Sequence, residues 1–271
     1  MKSYYIQQKA KQKEFYDSYC EDFDDAELWK ISGVENKYRQ RFMMRRAALM
    51  AKVAGLNSSS VVLEVGCGTG NYTWHWLDSS MSIYGLDLSK GMLRNAARKI
   101  DSDKLILIQA DAEQLPFKDS CFDAVLSINT LEHLDNILQA LTEMKRCCNN
   151  GGCIVVSTEN DSHMRFIRLR FYKKFVSLFF TDHAFRLPRY GKGLTHQDMT
   201  VNDLVSYFGK CEIDLGSLFF MGFIRRELSQ IARLHGFMEV IERLLERTPI
   251  VKKYAGIMIV QGSVSKRQRQ G

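Results

Sequence analysis

The sequence predicts an α/β protein built on a doubly wound, mostly parallel sheet. Three observations carry this. Val61 to Gly70 reads V-V-L-E-V-G-C-G-T-G, an apolar run around one carboxylate that ends in glycines at alternate positions. Strand and helix signals then alternate at short spacing as far as Thr158, the rhythm of parallel strands joined by crossover helices. The second strand pattern ends on an acid, Asp87, about 20 residues after the glycines, where an open sheet of this kind places a ligand-binding carboxylate.

Each element follows from its residues. Asp24–Trp29 and Lys37–Lys52 have helical spacing, with Phe42, Ala48 and Leu49 available for burial. Gly55 and the run Asn57-Ser58-Ser59-Ser60 break the pattern before the first strand. A helix is expected from Asn71. Strands are expected at Ser82–Leu88, Leu105–Gln109, Phe122–Ile128 and Cys153–Thr158. Helices are expected at Lys90–Ile100 and Leu134–Cys147, and Asn149-Asn150-Gly151-Gly152 reads as a turn. After Thr158 the alternation stops. Val201–Phe208 reads as a helix capped by Thr200, Cys211–Phe220 as a strand, Phe223–Arg247 as helical, and Tyr254–Val260 as the last strand. The tail from Ser263 is polar.

Composition narrows the class. A chain of 271 residues suits one domain with insertions, or one domain plus a small cap. No apolar run reaches the ~18 residues of a spanning helix. Met1–Lys13 is polar and lysine-rich, without the apolar centre of a signal peptide. Seven cysteines without a C-x-x-C pair fit reduced thiols and a cytoplasmic setting. The net charge of +7 is uneven. Between Asp161 and Tyr190, seven basic residues face two acids, and Lys266, Arg267 and Arg269 add to the tail. Such an excess describes a partner rather than a fold. The histidines are dispersed and lack ligand spacing, so no metal site is expected.

The glycine turn has chemical content. A dinucleotide fingerprint is G-x-G-x-x-G. Here Gly66, Gly68 and Gly70 make G-x-G-x-G, and Glu64 lies two residues upstream inside the strand. This combination resembles motif I of the class I S-adenosylmethionine (SAM) methyltransferases. Three more segments share the resemblance: Tyr84-Gly85-Leu86-Asp87, Ala110-Asp111-Ala112-Glu113-Gln114-Leu115-Pro116-Phe117, and Phe122-Asp123-Ala124-Val125-Leu126-Ser127 leading into Asn129-Thr130-Leu131-Glu132-His133-Leu134. Together they cover residues 61 to 160 and are most similar to the small-molecule branch that contains the ubiquinone and menaquinone methyltransferases. Upstream, Phe15-Tyr16-Asp17 and Phe23-Asp24 resemble that group's paired Y-D dipeptides, with Phe23 in place of the second tyrosine.

The resemblance implies a Rossmann-like class I methyltransferase fold with seven strands, the last antiparallel. Its expected parts are a helical lid over 1–53, a SAM-binding core over 54–160, a basic amphipathic insertion over 161–198, a C-terminal part of the sheet with an extra helix over 199–262, and a tail over 263–271. It implies SAM as cofactor and S-adenosylhomocysteine as product. Asp87 would accept the ribose hydroxyls, Asp111 and Ala112 would face the adenine, and Glu64 would face the methionine-type amino group. Tyr16, Gly66, Cys67, Gly68, Gly70, Leu88, Asn129 and Leu131 would complete the cofactor site. Cys67 reads as a small side chain rather than a nucleophile.

A phenol or enol acceptor must lose a proton, which suits a group with a pKa near neutrality. His133 is the first candidate base, with Glu132, His196 and His163 beside it. The stretch Asn129-Thr130-Leu131-Glu132 departs from the N/D-P-P-Y/F motif of base methylases. The expected reaction is therefore O-methylation of a lipophilic or aromatic hydroxyl, with C-methylation next. The alternatives are an RNA or protein methyltransferase, or a SAM-binding protein that regulates or scaffolds without turnover. Met164, Ile167, Phe171, Phe175 and Leu178 make an apolar stripe flanked by cations. The segment 164–180 thus reads either as a cap helix or as a peripheral contact with the inner membrane surface. Its aromatics lie on the stripe, which disfavours nucleic acid. Ile224, Leu228, Ile231, Met238, Ile241 and Leu245 form a second stripe where relatives usually have a short hairpin. Oligomeric state stays open.

Overall fold

The computed structural model describes residues 2–27, 37–77, 81–161, 194–223, 235–248 and 252–265. It opens with helix α1 (Lys2–Glu27) and helix α2 (Lys37–Val53). The sheet elements follow: β1 (Val61–Val65), α3 (Thr73–Trp76), β2 (Ser82–Asp87), α4 (Lys90–Lys99), β3 (Leu105–Gln109), β4 (Phe122–Ile128), α5 (Ile137–Cys147) and β5 (Cys148–Glu159). The chain ends with α6 (Val201–Lys210), β6 (Asp214–Met221), α7 (His235–Arg247) and β7 (Ile257–Ser263).

Seven strands form one sheet in the order β3-β2-β1-β4-β5-β7-β6. β1 to β5 pair in parallel, and β7 runs antiparallel to both β5 and β6. The direction of winding reverses between β1 and β4, so a crevice opens at their carboxyl ends, where doubly wound sheets take ligands. Successive side chains of β1 serve opposite faces. Leu63 and Val65 join Leu141 and Met144 of α5 and Phe208 of α6. Val62 joins Phe42, Met43 and Met50 of α2 and Trp76 of α3. Glu64 points to this second face.

Several boundaries differ from the sequence reading for identifiable reasons. α1 is one 26-residue helix, because nothing in Lys2–Glu27 is glycine or proline. The buried stripe of α2 is Tyr38, Phe42, Met43, Arg46, Ala47 and Met50, and Ala48 faces solvent. Only Thr73–Trp76 of the helix expected from Asn71 forms. Asn149–Gly152 is not a free turn. It is a bulge inside β5, where Phe122 pairs with Cys148 and Ala124 with Cys153. Its backbone is satisfied by Val264, which accepts from Gly151 N at 2.8 Å and donates to Gly152 O at 3.0 Å. After β4 a single 3-10 turn (Leu131–His133) intervenes, and α5 starts only at Ile137, capped by Asn136. Thr200 caps α6 as expected, in a reciprocal box with Asp203. β6 begins at Asp214, since Glu212, at φ 51°, belongs to the turn closing α6. Residues 252–254 form a 3-10 turn, so β7 starts at Ile257. The helical stretch expected over Phe223–Arg247 is seen as α7. Its first part, the insertion helix at 164–180 and His163 lie outside the described residues.

Candidate functional site

The crevice is built first by backbone. Gly66, Gly68 and Gly70 all have positive φ, at 75°, 55° and 76°. Gly66 also lies against Thr130, where a Cβ would stand 2.1 Å from the Thr130 Oγ1, so no side chain fits. Gly68 differs: a Cβ there would meet only the Phe23 ring of α1, at 3.8 Å. Gly66 N and Cys67 N both donate to Leu86 O, at 2.7 and 3.0 Å, which fastens the turn to the end of β2. Cys67 is buried and packs toward Gly85. Burial raises its thiol pKa, so it stays protonated, consistent with a steric role.

Two acids flank this turn. Asp87 accepts from Gly68 N and Ser89 N, each at 2.9 Å, one on each carboxylate oxygen. Its direction is thereby set, and each oxygen keeps a lone pair for a further donor. Burial raises its pKa against the pull of those bonds. Leu88, next along, lends its carbonyl to Gln109 Nε2 at 3.0 Å. Glu64 is 2% exposed, and among the described residues its one hydrogen-bond donor is the Thr73 hydroxyl. Burial pushes its carboxyl up to about 8, and the nearby Asp87 charge adds to this.

Opposite them lies a group that the sequence reading missed. Arg46 of α2 is fully buried. It donates to Ser157 Oγ at 2.9 Å, to Asn129 Oδ1 at 2.8 Å and to Tyr72 Oη at 3.2 Å. Every one of these acceptors is neutral, and no carboxylate among the described residues pairs with it. Asn129, at φ 48°, also donates its backbone N–H to Ser157 O at 2.8 Å. The available signal was position. Arg46 lies four residues after Phe42 and four before Met50, on the buried stripe of α2.

The remaining expected residues divide. Asp111 accepts from Glu113 N at 2.9 Å and from Lys9 Nζ of α1 at 2.5 Å, and Glu113 takes the same ammonium at 2.9 Å. Ala112 is buried beside them. The Leu131 side chain belongs to the core, fully buried with Leu63 and Val125, so only its backbone can meet a ligand. Glu132 is 3% exposed, and among the described residues its Oε2 has no hydrogen-bond partner. Burial raises its pKa, and hydrogen bonding from its own backbone and from Thr158, with the Arg46 charge, offsets this only in part. His133 stands between two walls. The Tyr16 ring of α1 is edge-on at 6.0 Å, and the His196 ring is 5.3 Å away. His196 Nε2 is 3.8 Å from Asp198. The segment after the insertion is fastened here, with Gln197 N donating to Glu132 O at 2.7 Å and Thr195 Oγ1 donating to Asp135 at 2.6 Å.

α1 roofs the crevice. Besides Lys9, Gln12 donates to His133 O. Asp17 accepts from Ser89 Oγ at 2.6 Å and Gly91 N at 2.8 Å. Asp24 accepts from Thr69 Oγ1, from Asn71 Nδ2 at 2.9 Å and from Lys99 at 2.8 Å. Asp17 and Asp24 are seven residues apart, hence on one face of the helix. A buried carboxylate with one hydroxyl partner and a buried guanidinium with only neutral partners suit a zwitterionic ligand, whose ammonium and carboxylate offer each its opposite charge.

Comparison with known proteins agrees with this geometry. Residues 63–156 match the family model described as a methyltransferase domain. The malonyl-[acyl-carrier protein] O-methyltransferase of Pectobacterium atrosepticum is 34% identical over 139 residues, 51% of this chain and 49% of that protein. The demethylmenaquinone methyltransferase of Tropheryma whipplei is 33% identical over 167 residues, 62% of this chain and 65% of that protein. The chain thus spans about half the length of the first of these relatives. Among solved structures, the magnesium protoporphyrin IX methyltransferase of Synechocystis, with bound SAH, superposes with a TM-score of 0.60 over 95% of this chain and 100% of that one. At 15% identity it shows the shared fold alone.

Proposed function

We propose that this chain, which carries a class I, SAM-dependent methyltransferase domain, transfers a methyl group to a small-molecule acceptor bound under α1. The observation that carries this is the meeting of three things at the switch point: the glycine turn, the pinned Asp87, and two buried ionisable groups, Glu64, which burial keeps protonated, and Arg46.

When bound, SAM supplies a methyl group already activated on a sulfonium. The chain's own residues then bind and orient. Asp87 accepts the two ribose hydroxyls, with its carboxylate held by Gly68 and Ser89. Asp111 and the Ala112 backbone take the adenine edge. Glu64 meets the ammonium, directly or through water, and Arg46 with Asn129 meets the carboxylate. Gly66, Cys67, Gly68 and Gly70 keep this wall free of large side chains, and Tyr16, Leu88 and the Leu131 backbone complete the site. α1, the expected lid, excludes water, which strengthens each of these contacts. Most of the acceleration comes from placing the acceptor oxygen in line with the methyl group.

The acceptor reading is O-methylation of a lipophilic or aromatic hydroxyl, with carbon the next choice. His133, between Tyr16 and His196, is the proposed base for the acceptor proton, and its position beside the lid helix supports this reading. Glu132, buried with an unpartnered oxygen, is placed to hold that proton or to orient the acceptor. The setting proposed is cytoplasmic, and the basic segment 164–180 is a candidate membrane contact. Among the described residues no helix is long and apolar enough to cross a membrane.

The test is purified protein with methyl-labelled SAM and a total extract of the source cells, separated afterwards into organic and aqueous phases. Enzyme-dependent label in the organic phase is expected. Label that precipitates with RNA or protein would replace the acceptor reading with a polymer one. Cofactor binding without turnover on any fraction would replace the enzyme with a non-catalytic SAM-binding protein.

A further inference from the structure

Helix α7 keeps Ile241 and Leu245 half-buried, but it also turns a row of charges inward. A surface helix normally buries its apolar stripe and exposes its charges. Here the acids at three- and four-residue spacing, Glu239, Glu242 and Glu246, face inward onto α2. Glu239 pairs with Arg41 at 2.9 Å, and Glu246 with Arg45 at 2.5 Å. Glu242 is fully buried, accepting from Tyr38 Oη at 2.5 Å, from Arg45 at 3.4 Å and from Phe223 N at 2.9 Å.

The neighbouring stripe, Val240, Arg243, Leu244 and Arg247, faces solvent. Val240 is 58% and Leu244 60% exposed. Both arginines are exposed, and neither has an ion-pair partner among the described residues. The turn at 252–254 packs against this helix and adds exposed Lys252 and Lys253. Two projecting aliphatic side chains are unremarkable by themselves. Two on a stripe with two arginines, beside two lysines and without an acid, have the composition of a helix that lies in a membrane interface.

Charge selects the occupant. A second copy docking by a two-fold contact would bring Arg243 and Arg247 of one protomer against the same residues of the other. An anionic head-group layer meets the same cations favourably and receives the aliphatic side chains below them. We propose that the outer stripe of α7, with Lys252 and Lys253, docks the protein on an anionic lipid surface. The acid ladder on the inner side ties this surface to α2, the helix that brings Arg46 to the crevice. The proposal is independent of the methyl-transfer reading and of the segment 164–180.

The test is co-sedimentation of the full chain with vesicles of phosphatidylcholine alone and of phosphatidylcholine with phosphatidylglycerol, at low and high salt. Binding to the anionic vesicles only, weakened by salt, is expected. R243Q/R247Q should lower the partition on the order of ten- to thirty-fold, and V240D/L244D should abolish it. All four positions are on the surface, so both variants should keep the wild-type melting temperature, which is checked alongside. No binding to anionic vesicles would overturn the proposal. Binding equal in wild type and both variants would also overturn it and move the contact to another surface. A wild-type dimer that V240D/L244D dissociates would assign the stripe to a second copy instead.

Discussion

Glu64 shows how one buried residue converts into a measurement. Its carboxyl titrates near 4.5 in an exposed setting and at about 8 in the fold. Between those values the folded chain keeps a proton that the unfolded chain has released. Folding stability therefore falls as pH rises through this window and levels off above about 8. A cationic amino group arriving beside Glu64 favours the ionised form and expels the proton. Calorimetry near pH 7 in two buffers of different ionisation enthalpy should report about one proton released per SAM bound. E64Q should release none, and a wild type that releases none would remove Glu64 from the amino-group role. Arg46 makes the complementary prediction. R46M should weaken SAM binding about ten- to a hundred-fold through loss of a charge-assisted contact. R46K should recover only part of this, because an ammonium cannot reproduce a planar fork. Unchanged affinity in R46M would leave the guanidinium a purely structural group holding Ser157, Asn129 and Tyr72.

Among the elements, α1 and α2 do the most for the crevice, and they are held differently. α1 is attached by polar contacts at its ends and middle, through Lys9, Asp17 and Asp24. Such contacts are individually worth about 1 kcal/mol and are exchangeable with water, which would suit the proposed lid. D17A/D24A should therefore raise amide exchange across 2–27 and speed SAM release, with the exchange of β1 and β4 unchanged. Slowed exchange in α1 would contradict a lid held by these two carboxylates. α2 is held by packing against the sheet and by the buried Glu242 of α7. E242A removes one acceptor each from Tyr38 Oη, Arg45 and Phe223 N and should cost about 3 kcal/mol, read as a lower denaturation midpoint. A loss below about 0.5 kcal/mol would mean that the ladder contributes little to seating α2.

For the whole molecule, legibility followed distance along the chain. The alternating strands and helices, the glycine turn and the acids at 64, 87 and 111 could be read from residues 61 to 160, because each depends on neighbours a few positions away, whereas the seven strands with an antiparallel last one came from the family resemblance. Glycines alternate where the backbone turns with positive φ, and an acid ends the strand beside them. Arg46 was not legible, since its partners Tyr72, Asn129 and Ser157 come from three other parts of the chain. Ala48 was taken for a core residue because a helix periodicity is hard to phase without knowing which face the sheet covers. The bulge at 149–152 read as a turn because only the residues after β7 supply its missing hydrogen bonds. The inward turn of the α7 acids had no signal either: Glu239, Glu242 and Glu246 look like a solvated face until α2 presents Tyr38, Arg41 and Arg45 to them.

The sequence by itself determined the doubly wound core, the ligand end of the sheet and the kind of turn that a nucleoside-bearing cofactor needs. These are local consequences of hydrophobic period, glycine conformation and residue spacing. Only the tertiary structure decided which buried charges lack an opposite, which helix closes over the crevice, and which face of α7 is left outward. Each of these depends on groups brought together from distant positions, where desolvation and pairing are properties of the assembled interior.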